Sequence, residues 1–97
     1  MFDINFTQSA LDDIEWFKKR EHNIIFDGIE AQLVYEPNAD TRNRKRLRPN
    51  QTSEWELRID KYRVFYDVNQ EEQSVEVKVV GLKKGNKVLV RGEEHEL

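Results

Sequence analysis

The sequence predicts a single α+β domain of order β-α-α-β-β-β, in which an N-terminal strand and a helical hairpin pack on a mainly antiparallel sheet. Three observations support this fold class. The length of 97 residues suits one hydrophobic core. Apolar residues recur at helical spacing in residues 9–35, and they alternate with polar residues in 55–80. Helices and strands that are segregated along a chain in this way are typical of α+β domains.

The first elements are a short strand and a helix. Phe2, Ile4 and Phe6 alternate with polar residues, as in a strand with one buried side. Ser9 followed by Asp12 resembles a capping box, so the pattern predicts that a helix begins there and runs to about residue 20.

A second helix follows after a very short break. We expect the break at 21–23, with Asn23 as the N-cap of the next helix. Pro37 disfavours helical geometry at the residue before it, so this helix should end near Tyr35. A connection this short indicates a helical hairpin.

The strongest strand pattern is the stretch Trp55–Val68. Two alternating runs, rich in aromatic and β-branched residues, meet at Asp60-Lys61, which indicates a β-hairpin. Residues 38–51 before it read as a polar loop. After it we expect a strand at Ser74–Val80 with Val75, Val77 and Val79 on one side, a connection at 81–86, and a short apolar run at 88–90.

Charge is unevenly distributed along the chain. The net charge is −3, but a basic run lies before the hairpin and an acidic segment ends the sequence. We therefore expect one domain at 1–92 and a frayed acidic tail at 93–97. The two charged segments contain the following residues: Arg42, Arg44, Lys45, Arg46 and Arg48 in the basic run, and Glu93, Glu94 and Glu96 in the tail.

Several classes of protein are disfavoured by the composition. The chain contains no cysteine, so it has no disulfide and no thiol nucleophile. No segment approaches the ~20 apolar residues of a membrane-spanning helix, and the N-terminus does not resemble a signal peptide. No phosphate-binding glycine motif and no metal-ligand spacing is present, so we expect no cofactor and no metal. The sequence predicts a soluble, cytoplasmic domain.

Four segments together resemble the RelE/ParE superfamily of bacterial toxin–antitoxin systems, with the RelE-like branch favoured. They are Arg46-Leu47-Arg48, Trp55-Glu-Leu-Arg-Ile, Tyr62-Arg-Val-Phe-Tyr and the valine strand that ends at Val80-Gly81. The resemblance extends from Phe6 to about Leu89. It implies a type II toxin that is held inactive by a cognate antitoxin. RelE-like members cut messenger RNA in the ribosomal A site, whereas ParE-like members act on DNA gyrase.

The resemblance also implies which residues act on RNA. Basic residues of RelE-like nucleases match Arg58, Arg63 and Lys83 or Lys84. Arginine suits a scissile phosphate because its planar guanidinium binds two phosphate oxygens and stays charged. Metal-free cleavage also needs a base and an acid, and Glu56 is a candidate base. The basic run from Arg42 to Arg48, together with Lys87, is the candidate surface for ribosomal RNA: Arg42, Arg44, Lys45, Arg46, Arg48 and Lys87.

Other interpretations remain open at this point. Relatives often end in a catalytic tyrosine or His-Tyr pair, whereas this chain has Val88-Leu89-Val90, with His95 in the acidic tail. A ParE-like gyrase inhibitor needs no catalytic set, and a detoxified relative would only bind its antitoxin. Arg58 and Arg63 can also be solvated strand residues paired to carboxylates. The basic run can also be a solvated loop, and residues 83–87 can also be a flexible turn.

Overall fold

The computed structural model of the protein describes residues 1–96, within which it has seven strands and two α-helices. The helices are Gln8–Trp16 (α1) and Lys19–Leu33 (α2). The strands in chain order are Asp3–Phe6 (β1), Arg44–Arg46 (β2), Trp55–Ile59 (β3), Tyr62–Asn69 (β4), Ser74–Lys84 (β5), Lys87–Val90 (β6) and Glu93–His95 (β7).

All seven strands belong to one sheet in the order β2-β3-β4-β5-β6-β7, with β1 beside the first half of β5. Every neighbouring pair is antiparallel except β1 and β5, which run parallel, with Ile4 opposite Val75. The predicted class of α+β with a helical hairpin on a mainly antiparallel sheet is therefore confirmed. In addition, no helix in this part of the chain is both long enough and apolar enough to cross a bilayer.

One face of the sheet, here called the helix face, packs against α1 and α2 to form the core. The alternation in the central hairpin is confirmed, because Trp55 and Leu57 from β3 and Tyr62, Val64 and Tyr66 from β4 are all buried on this face. The turn at Asp60-Lys61 is also confirmed. It places Asp60 at φ 52°, a left-handed conformation that aspartate tolerates better than most residues.

The starts of the two helices differ from the prediction. Thr7, not Ser9, is the N-cap of α1, and its hydroxyl accepts a hydrogen bond from the Ala10 N–H at 3.0 Å. The break between the helices lies at residues 17–18 and not at 21–23. There the Glu21 carboxylate accepts the Lys18 N–H at 3.0 Å, so Asn23 lies inside α2. Both predicted N-caps, Ser9 and Asn23, are therefore wrong. Thr7 has the same capping chemistry as Ser9, whereas Lys18 is not a residue type that N-cap preferences select.

A β-bulge in β5 overturns the predicted alternation of its valines. Val77 pairs with Tyr66 and Val79 pairs with Phe65, so one extra residue, Lys78, is inserted opposite β4. Beyond the bulge it is Val80, not Val79, that continues the buried row on the helix face. Every later side chain of β5 is thereby moved to the other face.

Three segments that were predicted to be irregular are strands. Residues 81–84 of the predicted connection continue β5, which ends at Lys84 and not at Val80. Residues 44–46 of the predicted loop form β2, which pairs antiparallel with β3. The acidic tail is not frayed at Glu93–His95, because these residues form β7 against β6. A two-residue turn makes this pairing close, with Arg91 at φ 49° and Gly92 at φ 82°. Residue 97 of the predicted tail lies outside the described residues, and the division into 1–92 and 93–97 stays a prediction.

Candidate functional site

The sheet face opposite the helices carries Arg58, Arg63 and Lys83, and is called the arginine face below. Arg58 of β3 is the direct cross-strand partner of Arg63 of β4, which in turn is opposite Gly81 of β5. Partners in an antiparallel ladder point to the same side, so the two guanidinium groups share one surface. The predicted Arg58/Arg63 pair is therefore brought together by the fold, while its catalytic role stays a prediction.

Two like charges directly opposite each other on a sheet destabilise the pairing. Glu56 offsets part of this repulsion, because its buried carboxylate lies 3.1 Å from the Arg58 Nε. The Arg58 side chain is still 39% exposed, so its guanidinium can meet a ligand. Glu56 is thus on the predicted face, but the structure shows it as an ion-pair partner of Arg58.

Arg63 is held by backbone carbonyls and not by a carboxylate. Its NH1 donates hydrogen bonds to the carbonyl oxygens of Asp60 at 2.7 Å and Tyr62 at 2.9 Å. Burial lowers the pKa of the Arg63 guanidinium, and the nearby charge of Glu56 opposes that shift. An arginine that is partly desolvated and forms no direct ion pair with a carboxylate of the described residues is well suited to bind an anion.

The bulge in β5 distinguishes the two candidate lysines. Leu82 pairs with Tyr62 of the helix face, so the next residue, Lys83, projects from the arginine face, and Lys84 projects from the opposite side. The Lys83 N–H donates to the Lys61 carbonyl at 2.8 Å, which fixes the backbone there. Lys83 therefore joins the arginine pair, whereas Lys84 does not.

The basic run before β3 does not act as one surface. Arg44 is buried, and its guanidinium donates to the carbonyl oxygens of Ala39 at 3.1 Å and Gln32 at 2.8 Å. It also donates to the Gln32 side chain at 3.0 Å. Because Gln32 lies in the last turn of α2, Arg44 stabilises the helix end. The predicted role of Arg44 in RNA binding does not fit this burial.

The remaining basic residues of the predicted RNA surface are exposed, but they lie at different places. Lys45 pairs with Glu56 across the sheet and so borders the arginine face. Arg46 lies over the Trp55 ring at 5.6 Å and 3.6 Å from the Glu54 carboxylate. Lys87 is opposite Lys84 and forms an ion pair with Glu94 at 3.5 Å, away from the arginines. Two residues of the run lie in the connecting segments: Arg42 and Arg48.

Sequence reasoning assigned His95 to the tail, but the structure places it on the arginine face. It is opposite Val88, which is itself opposite Lys83, so all three point to one side. The His95 ring lies 6.3 Å from the buried Phe65 ring, and its Nε2 is 3.1 Å from the Thr52 hydroxyl. The signal that was missed is the Arg-Gly turn between two short runs of extended residues.

The turn that carries β7 is anchored to α1 by a buried carboxylate. Asp13 accepts the Val80 N–H at 3.0 Å, and the Arg91 Nε lies 2.9 Å from its other oxygen. The Arg91 contact is an ion pair with the buried carboxylate. Burial raises the pKa of Asp13 above its ordinary value, and both contacts oppose the shift. Asp13 therefore helps to position the hairpin that brings His95 over the face.

The arrangement is suited to an anionic ligand. Arg58, Arg63 and Lys83 supply positive charge, and Glu56 and His95 supply groups that exchange protons. Within residues 1–96 no group of three or more histidine, aspartate or glutamate side chains could hold a metal ion.

Comparison with known proteins identifies the fold. The chain superimposes with a TM-score of 0.73 on a chain of the toxin–antitoxin complex RelBE2 from Mycobacterium tuberculosis, at 23% identity, covering 84% of this chain and 98% of that one. For the archaeal RelE–RelB complex from Pyrococcus horikoshii the TM-score is 0.61 at 16% identity, covering 88% and 97%. No protein-family model and no curated protein matches the sequence. The chain has the RelE-like fold.

Proposed function

We propose that this RelE-like chain is the toxin of a type II toxin–antitoxin pair and acts as a ribosome-dependent endoribonuclease on messenger RNA. The direct pairing of Arg58 with Arg63 is the observation that carries the proposal. A sheet gains nothing from opposed like charges, and a phosphate between them would convert repulsion into attraction. The similar structures are toxin–antitoxin complexes, which supports an antitoxin as the partner.

Each residue of the arginine face has a defined role in this reaction. The 2′-hydroxyl attacks the adjacent phosphorus, and the bond to the 5′-oxygen breaks. Arg58 and Arg63 stabilise the additional negative charge of the crowded phosphate, and Lys83 binds a neighbouring phosphate oxygen. His95 and Glu56 are the candidate groups to take the 2′-hydroxyl proton and to protonate the 5′-oxygen.

Primer extension on a defined message held on ribosomes tests this proposal. Arg63→Ala should reduce the cleavage rate by roughly 10²–10³, because it removes one preorganised charge from the phosphate. Lys84→Ala is the matched control, since Lys84 is exposed on the other face, and its cleavage should stay within about twofold of the wild type. Absence of cleavage by a folded wild-type protein would refute the nuclease proposal.

Lys83 and Lys84 provide a second, internal check. They are adjacent in sequence, carry the same charge and are both exposed, but they point to opposite faces. Lys83→Ala should therefore lower cleavage by about tenfold or more, as expected for one lost charge at a phosphate. Equal effects of the two substitutions would show that general positive charge matters and that the arginine face does not.

Inhibition of DNA gyrase is the second candidate function. The favouring observation is that both acid–base groups are already bound, Glu56 to Arg58 and His95 to Thr52. A protein that only binds its target needs no free acid or base. Controlled expression separates the two candidates, because translation arrest indicates the ribosome, and filamentation with DNA damage indicates gyrase. Expression without any growth arrest would instead indicate a relative that only binds its antitoxin.

A further inference from the structure

A cavity lies on the arginine face, further along β4 from the arginine pair. It has a volume of about 410 Å³, which is in the range of small-molecule sites. It is lined by Asp67 of β4, by Lys78 of β5 and by residues 46–54. Asp67 follows Arg63 and Phe65 at alternate positions of β4, so all three point to the same face. The cavity and the arginine pair thus share one surface, with Asp67 about 13 Å from Arg63 along the strand.

The bulge in β5 brings a lysine to this cavity. Lys78 is the inserted residue opposite β4, and its Nζ lies 3.3 Å from Asp67 Oδ2. Bulges re-aim side chains and are over-represented beside active sites. The side chains of Lys78 and Asp67 are 35% and 34% exposed, so the ion pair is accessible to a ligand in the cavity.

The Asp67–Lys78 pair retains hydrogen-bonding capacity. A carboxylate has about four lone-pair sites, and within residues 1–96 Asp67 uses them for Lys78 and for the Glu54 N–H at 2.7 Å. An ammonium group has three donors, and Lys78 directs one of them to Asp67. A matching ligand therefore presents an acceptor to Lys78 and, directly beside it, donors to Asp67.

The segment that forms the other wall of the cavity is held by one side chain. The Asn50 amide group donates to the carbonyl oxygens of Arg48 at 2.8 Å and Ser53 at 2.9 Å. Its Oδ1 accepts the N–H groups of Thr52 at 2.7 Å and Ser53 at 3.0 Å. These bonds order the wall before a ligand arrives, which lowers the entropic cost of binding.

We propose that this cavity is a subsite for a guanine base of the RNA substrate. The inference rests on the proposed action on RNA and specifies which base the protein reads. Guanine presents an acceptor followed by two donors on its Watson–Crick edge. Its O6 accepts from Lys78, and its N1–H and 2-amino groups donate to Asp67. Arg48 lines the cavity and supplies positive charge for an adjoining phosphate.

The other three RNA bases match the ion pair less well. Adenine and cytosine each present one amino donor beside a ring nitrogen acceptor, and that acceptor would face the Asp67 carboxylate. Uracil has a single N–H between two carbonyl oxygens, and one of these oxygens would lie against the carboxylate. Two acceptors placed against each other leave both without a donor, so these bases are disfavoured.

The position of the cavity suits a base close to the scissile phosphate. Thr52 lines the cavity, and its hydroxyl oxygen lies 3.1 Å from His95 Nε2. The His95 ring lies 6.3 Å from the ring of Phe65, which is between Asp67 and Arg63 on this face of β4. A single strand that is held by its guanine in the cavity therefore passes His95 and reaches the arginine pair.

Modified RNA hexamers test the subsite in the absence of ribosomes. The hexamers carry 2′-O-methyl groups, which prevent cleavage, and contain a guanine, an adenine or an inosine among uridines. In fluorescence anisotropy the guanine hexamer should bind about tenfold more tightly than the adenine hexamer, which corresponds to ~1.4 kcal/mol. Inosine lacks the 2-amino group, so its hexamer should bind with intermediate affinity. In NMR spectra the Glu54 amide, which donates to Asp67, should shift with the guanine hexamer.

A pair of matched variants locates the site. Asp67→Asn should abolish the preference for guanine, because the amide group places a donor against the donors of the base. The asparagine keeps an oxygen for the Glu54 N–H. Glu76→Gln makes the same change of charge and is the control. Glu76 is exposed and paired with Asp67 across the sheet, but it does not line the cavity. This variant should retain the preference of the wild type.

Several outcomes overturn the proposal. Equal binding of the guanine and adenine hexamers by the wild type would exclude a guanine subsite, as would an unchanged preference in Asp67→Asn. If guanosine monophosphate bound as tightly as the guanine hexamer, the cavity would be a site for free nucleotides and not for RNA.

Failure of this inference is distinct from failure of the nuclease proposal. Cleavage on ribosomes combined with equal binding of all hexamers would exclude the subsite and leave the nuclease proposal intact. Preference for the guanine hexamer without any cleavage on ribosomes would support the subsite and refute the nuclease proposal.

Discussion

The two faces of the central hairpin are built from alternate residues of the same strands, yet they differ in how their side chains are satisfied. On the helix face Leu57, Val64 and Tyr66 have no exposed surface, and even the Tyr66 hydroxyl donates to the Pro37 carbonyl at 2.7 Å. On the arginine face Arg58 opposes Arg63, and both are partly exposed. Folding buries the side chains of the helix face, whereas the arginine face retains exposed positive charge that can bind a ligand from outside the chain.

Neighbouring residues of β3 test this difference most strongly. Leu57→Ala should lower the free energy of unfolding by roughly 2–5 kcal/mol, because it opens a cavity in a fully buried core. Arg58→Ala, one residue further on, should change it by less than about 1 kcal/mol, since Arg63 remains close to Glu56. Urea unfolding at neutral pH gives both values. Similar losses for the two variants would contradict the division into a structural and a ligand-binding face.

Two neighbouring residues of the basic run also differ in this way: Arg44 is buried and bonded within the chain, and Lys45 is exposed. Arg44→Ala should cost about 1–3 kcal/mol, because the carbonyl oxygens of Gln32 and Ala39 lose their buried donor. Lys45→Ala should be within about 0.5 kcal/mol of the wild type, because Lys45 is exposed. Thermal or urea unfolding of the two variants checks this. If Arg44→Ala proved as stable as Lys45→Ala, the helix-stabilising role of Arg44 would be wrong.

Tyr62 tests a polar contact that the helix face satisfies internally. The Tyr62 hydroxyl donates a hydrogen bond to the Glu21 carboxylate at 2.6 Å. Burial and, to a smaller extent, this carboxylate raise the pKa of Tyr62 to about 12. The hydroxyl therefore stays protonated and remains a donor. The same bond lowers the pKa of Glu21 below its ordinary value of 4.5. A carboxyl with a lowered folded-state pKa contributes stability that is present above pH 4.5 and lost as the pH falls through the folded-state pKa.

Tyr62→Phe should therefore cost roughly 1 kcal/mol at pH 7, and less in strongly acidic solution, where Glu21 is protonated in both states. Urea unfolding of the wild type and the variant as a function of pH measures the difference between their free energies of unfolding. If this difference in free energy of unfolding did not decrease on acidification, the Tyr62 hydroxyl would not be coupled to the charge of Glu21.

Sulfate binding tests the arginine face with the smallest expected effect. An oxyanion at a concentration equal to its Kd stabilises the folded state by ~0.4 kcal/mol. Sulfate should therefore raise the unfolding free energy of the wild type more than that of Arg58→Ala/Arg63→Ala. The comparison at equal sulfate concentration removes the general effect of this salt, and a Lys84→Ala variant serves as the matched control. Identical responses of all three proteins would argue against an anion site between the arginines.

Local patterns predicted most of the fold but only part of the site. The alternation in β3 and β4 fixed which residues face the core, and the resemblance directed attention to Arg58 and Arg63. The choice between Lys83 and Lys84 was not accessible, because it depends on the bulge at Lys78. The position of a bulge depends on how the strand packs and pairs in the folded sheet. One inserted residue moves every later side chain of that strand to the opposite face of the sheet.

The sequence by itself determined the fold class, the central hairpin and the pair of arginines, because these depend on residues that are close along the chain. The tertiary structure decided three further points. Arg44 is buried as a support for α2, His95 lies on the arginine face, and Lys78 forms an ion pair with Asp67 beside a cavity. Each of these depends on contacts between segments that are distant in sequence or on the sheet order, for which local periodicity contains no information.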